Sequence, residues 1–211
     1  FYPRLNFLEL VPLFMAKDPE TIWLDALDSR EKGDIDSAIE LAKDVVHANE
    51  EHTDAWMAIA TWSLPPPSRG KQIQPTLVQS AKAMAALRKV VLYDPKNVEA
   101  WKIGGWILVD NLGMLEDALQ WWDEYRHEFP KDVTPVIEQI SILVRFGLYE
   151  ECGRKLSELF SGDLDELSSQ QAVRIDGVKR MVERAANMEK EEIFKPQEPT
   201  HPRWDVIEKM K

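Results

Sequence analysis

At 211 residues, 44% hydrophobic and 30% charged, the chain is long enough for one or two globular domains with a sizeable core. Its 37 acidic against 26 basic residues leave a net charge of −11, with Lys and Arg scattered among Asp and Glu, so no patch is offered to a phosphate backbone and nucleic acid is not an expected partner. One cysteine excludes an intrachain disulfide framework and fits a reducing, cytoplasmic compartment; no apolar run of about 18 residues is present to cross a bilayer.

The first segment, residues 1–18, contains the apolar stretch FYPRLNFLELVPLFMA, interrupted by Arg4, Glu9 and Pro12. The sequence opens at Phe1 rather than Met, which leaves a membrane anchor upstream of Phe1 an open expectation. From residue 19 onward the chain compares well with itself. GDIDSA ends at Ala38, GMLEDA at Ala118 and GLYEEC at Cys152, each opened by a glycine, Gly33, Gly113 and Gly147. Ala118 and Cys152 are 34 residues apart, and Ala83 lies 35 before Ala118. The step from Ala38 to Ala83 is 45, and its excess falls on LPPPSRGKQIQPT, an insertion at 65–76. A fixed period near 34 is the mark of stacked supersecondary units.

Each small residue has matching surroundings. Before it come helix-like stretches with an aromatic near the start, TDAWMAIATW and VEAWKIGGWILV; after it come amphipathic stretches such as AIELAKDVV, AMAALRKVVLYDP, ALQWWDEYRHEFP and CGRKLSELF. Pro95 and Pro130 follow two of the second stretches, where proline ends a helix and sets the next turn. The pattern predicts an all-α fold of repeated helix–turn–helix units, crossing at small residues, over 19–162. Beyond it, 163–195 has the periodicity of a helix with Val173, Val178, Met181, Val182 and Ala185 on one face, suited to cap the array. Residues 196–211 carry Pro196, Pro199 and Pro202, an extended Pro-rich tail that ends near Trp204 and Ile207.

These units resemble the tetratricopeptide repeat (TPR) family. The best match is Val98 to Asp132, with Trp101 as the first-helix aromatic, Gly105 as the small residue of close approach, Ala118 opposite it, then Trp122, Tyr125 and the closing Pro130. Thr53 to Asn97 matches through Trp56, Ala60, Ala83, Leu87 and Pro95. Pro19 to about His52 matches through Ala26, Gly33 and Ala38, with Trp23 one residue out of register. Val133 to about Gly162 departs further, with Val136, Ile140 and Cys152 in place of aromatic, small residue and alanine. The resemblance implies a right-handed superhelical array whose first helices line a concave groove. On that surface it places Trp23, Met57, Thr61, Lys102, Trp106, Ile137 and Ser141. TPR proteins that clamp a terminal carboxylate use asparagines and several basic residues there; Lys102 stands alone here, so the groove is aromatic and apolar instead.

Catalytic chemistry finds no footing. His47 and Glu51 share a helix face but lack the further ligands a zinc site needs, so neither metal nor cofactor is expected. Cys152 occupies a crossing position that calls for a small buried residue, SRGKQ lacks the first glycine and the hydroxyl of a phosphate loop, and no small-molecule substrate is indicated. The expected function is a non-catalytic interaction module that binds a peptide or helix of a partner protein in the groove. The alternative is a structural subunit of a larger, membrane-associated assembly, its groove filled by its own terminal segment or by self-association. Trp101 and Trp106 frame the question. Five residues apart on one helix, they point roughly 140° from each other at about 100° per residue, so one belongs to the core and the other to whatever covers the second face.

Overall fold

The computed structural model describes residues 18–66, 73–161 and 169–191; the 1–17 segment, the centre of the insertion (67–72), and residues 162–168 and 192–211 lie outside the described residues, with them the Pro-rich tail and both ends of the expected capping helix. Among the described residues the structure is helical without strands. The order is α1 Pro19–Glu31, α2 Ile35–Ala48, α3 Thr53–Trp62, α4 Leu77–Tyr93, α5 Val98–Trp106, a π-helical turn Ile107–Asn111, α6 Leu115–Glu128, α7 Thr134–Arg145, α8 Tyr149–Ser161 and α9 Ser169–Glu191. The chain divides into two compact units, one ending at Trp121 and the other beginning at Trp122. In the first, α1 packs on α2, α2 on α3, α3 on α4 and α4 on α5; in the second, α7 packs on α8 and α9 on both.

The three motif glycines turn each first helix into its second. Gly33, Gly113 and Gly147 have φ of +84°, +66° and +72°, the left-handed region that costs an L-residue about 1–2 kcal/mol. Gly33 N–H donates to Arg30 O and Asp34 N–H to Ser29 O, the paired closure of a Schellman cap; Gly147 and Leu148 repeat it on Val144 and Leu143. Around Gly113 the closure is one residue wider, with Met114 N–H on Leu108 O at 2.8 Å. The spacing explains it. Trp101 stands 12 residues before its glycine and Val136 stands 11 before Gly147, and a π turn is how a helix absorbs one extra residue. In the second repeat the insertion separates α3 from α4, and a capping box between Thr76 and Gln79 starts α4.

The first-helix aromatics of the second and third repeats make the same bond. Trp56 Nε1 donates to Glu50 O and Trp101 Nε1 to Pro95 O, both at 2.8 Å and both six residues back. The caps beneath them also correspond: His52 Nδ1 accepts from Ala55 N–H and Asn97 Oδ1 from Ala100 N–H. Ala38, Ala83, Ala118 and Cys152, the small residues of the repeat, are all fully buried. The thiol of Cys152 faces Ile140 O at 3.8 Å, and burial pushes its pKa up, away from thiolate chemistry.

In the second unit the Tyr125 hydroxyl donates to Asp132, whose other oxygen accepts from Thr134 N–H at 2.8 Å and so starts α7. Burial raises the Tyr125 pKa far above the usual phenol value of 10.0, and the Asp132 hydrogen bond and charge push it the same way. A pKa raised on folding gives stability that is whole below the unfolded value and drains away as pH climbs beyond it. Equilibrium urea unfolding should therefore show stability falling above about pH 10. Tyr125→Phe should be less stable by about 1.5–3 kcal/mol at neutral pH and should show a shallower loss in alkali; an unchanged alkaline slope would contradict the assignment.

Candidate partner-binding site

α5 divides its two tryptophans as their spacing requires. Trp101 is 4% exposed and its ring lies 4.6 Å, centroid to centroid, from Trp121; Trp106, the last residue of α5, is 44% exposed. Half-buried Lys102 lies one turn before Trp106 on the same helix. On α3, Met57 and Thr61 are half-buried, and the Thr61 hydroxyl donates to Met57 O at 2.9 Å, leaving the methyl group and the thioether as the apolar elements there.

Gly104 and Gly105 are both buried, and a close approach to a second-helix side chain falls on Gly104, whose partner is Trp121. A Cβ at Gly104 would stand 2.5 Å from Trp121 Cζ2. Trp121 Nε1 donates to Trp101 O at 2.7 Å, so the indole is fixed against the bare helix backbone.

Trp23 is half-buried and already has neighbours. Its ring stacks with Trp62 at 6.0 Å and 7° between planes and meets His52 at 5.2 Å. The Arg30 guanidinium lies 6.0 Å from the Trp62 ring centroid. His52 presents Nε2 to Glu20 at 3.8 Å while its Nδ1 caps α3, so one imidazole joins α1 to α3. Trp62 was not among the expected groove residues. Its signal was its distance from Trp56: six residues on a helix is about 240°, so the two cannot share a face.

In the second unit, Ile137 is 3% exposed and thus offers a partner almost no surface; α9 packs on its helix. Ser141 is half-buried and its hydroxyl donates back to Ile137 O at 3.0 Å. The structure thus leaves Trp106 the open aromatic of the set, closes Ile137, and gives Trp23 intramolecular partners. Among the described residues no group of three His, Cys, Asp or Glu side chains is arranged to hold a metal ion, and no helix is long and apolar enough to cross a membrane.

No protein-family model matches the chain, and no curated protein matches its sequence. Solved structures do match. A crystal structure of the MamA protein, which is TPR-like, aligns at TM-score 0.51 and 16% identity over 87% of this chain and 98% of that one. A structure of MamA from AMB-1 aligns at TM-score 0.53 and 16% identity over 74% and 78%. The first TPR of Spaghetti (RPAP3), bound to an HSP90 peptide, aligns at TM-score 0.43 and 15% identity over 63% and 98%. With its repeated hairpins, glycine turns and paired small residues, the chain is a helical-repeat protein of the TPR fold.

Proposed function

We propose that the protein is a non-catalytic interaction module that holds a peptide or helix of a partner protein against the face bearing Trp106, in a cytoplasmic setting. The observation that carries this reading is the contrast within one helix turn: Trp101 is closed into the core while Trp106 keeps 44% of its surface. Large indoles left open are the residues that most often anchor a protein partner. The π turn that begins at Ile107 supports the same reading, because such irregularities gather at functional sites. Met57, Thr61 and Lys102 are the accompanying contacts, and the net charge of −11 favours a basic partner.

The test uses a synthetic basic amphipathic helix of Leu and Lys, titrated into the ¹⁵N-labelled protein. The Trp106 indole N–H signal should shift. Trp106→Ala should weaken binding about 30-fold, as an anchor worth about 2 kcal/mol requires. Lys102→Glu should strengthen it, since a basic ligand then gains an opposite charge. Unchanged affinity in Trp106→Ala would remove this face as the binding surface.

A further inference from the structure

The second helices of the repeats turn similar positions outward but not similar chemistry. On α2 the exposed residues are Asp36, Ser37, Glu40, Lys43, Asp44 and His47, with Ala48 at its end. On α6 they are Glu116, Asp117, Gln120, Asp123, Glu124 and His127. α8 exposes Glu150, Arg154, Ser157 and Glu158 along its length, with Phe160 beside its C-terminus. α4 differs from all three. It exposes Leu77 (67%), Val78 (64%), Ala81, Ala85 and Leu92 (63%). At about 100° per residue these five fall within roughly a 100° arc, with Arg88 inside it near one edge, between Ala85 and Leu92 along the helix, and Lys82 and Lys89 just beyond the other edge. Its 17 residues include three bases and no acid, in a chain with a surplus of eleven negative charges.

An apolar stripe of this width on an outward helix face is the form that receives another helix. Its charge selects the occupant. Lys89 is held by Glu50 at 2.6 Å and Arg88 by Asp117 at 3.9 Å, both at exposed positions. Lys82 has no ion pair among the described residues. A second copy is disfavoured: an antiparallel two-fold pairing centred on Ala85 sets Lys82 of one copy against Arg88 of the other. We infer that the outward face of α4 is a second docking surface, whose ligand is an acidic amphipathic helix of another protein. Its apolar side would lie on Leu77, Ala81, Ala85 and Leu92, and its carboxylates beside Lys82 and Arg88. It is separate in residues and in charge preference from the Trp106 face.

The experiment titrates two helix-stabilised peptides of about 18 residues, one of Leu and Glu and one of Leu and Lys, into the ¹⁵N-labelled full chain. The acidic peptide should shift the amides of Val78, Ala81, Lys82 and Ala85. Ala85→Glu, an exposed position that leaves the helical circular dichroism intact, should weaken it at least tenfold. Lys82→Glu should weaken it several-fold and flatten its salt dependence, while Trp106→Ala should leave it unchanged. Three results would overturn the inference: equal α4 shifts with the basic peptide; a dimer in sedimentation that Ala85→Glu dissolves, which makes the occupant a second copy; or binding to phosphatidylserine vesicles that Ala85→Glu abolishes while the acidic peptide shows no effect.

Discussion

Trp122→Ala should destabilise the protein by about 3–5 kcal/mol, seen as a lower urea midpoint and loss of near-ultraviolet circular dichroism. Trp122 is fully buried, with its ring 5.9 Å from that of Tyr125. Truncating it leaves a cavity as well as lost apolar burial, and Tyr125 is the neighbour exposed to that cavity. The indole also carries a detail that separates size from chemistry. Trp122 Nε1 is buried and has no hydrogen-bond partner among the described residues. A buried donor without an acceptor costs about 1–3 kcal/mol, so Trp122→Phe removes a penalty while it removes volume. It should fall within about 1.5 kcal/mol of the parent. Trp106→Ala, the same truncation at a residue 44% exposed, should cost less than about 1 kcal/mol. If Trp122→Phe proved as damaging as Trp122→Ala, the N–H would have to be bonded, and the account of this core would change.

The repeat was legible in the sequence because it depends on residues with few alternatives. A positive φ calls for glycine, and Gly33, Gly113 and Gly147 announce their turns at the level of single letters. Ala38, Ala83 and Ala118 are fully buried, as small residues at helix crossings are expected to be. Trp101 and Trp106 were separable by helical angle alone. What could not be read was which surface covers which. Trp23 counts as groove-lining by register, yet Trp62 and His52 lie against it, and that contact depends on where α3 ends relative to α1. Ile137 counts the same way, but its exposure depends on what its unit packs over α7, and local periodicity does not encode that. The outward stripe of α4 was visible in principle as a helix without acids, but its meaning needed exposures from the other second helices for contrast.

The close approach at Gly104 yields a prediction whose sign can be reversed. Alanine is normally the better helix former by about 1 kcal/mol, so Gly104→Ala at an open helix position would stabilise. Here the new methyl group would meet Trp121 Cζ2 at 2.5 Å and Cε2 at 2.9 Å. Trp121 has little room to yield, since its Nε1 is bonded to Trp101 O, its ring packs against Trp101 and it is 5% exposed. Overpacking of this kind costs about 1–3 kcal/mol. Gly104→Ala should therefore lower the urea midpoint despite the helix preference. Trp121→Leu should by itself cost about 2–4 kcal/mol through lost burial and the surrendered hydrogen bond. In that background, however, the obstructing indole edge is gone and the helix preference is left unopposed, so Gly104→Ala should now stabilise, by up to about 1 kcal/mol. The sum of the two single effects would overshoot the double mutant, and the difference measures the contact directly. A Gly104→Ala change that destabilised equally in both backgrounds would place its cost in the helix itself, and Trp121 would lose its part in setting how near the two helices of this repeat can come.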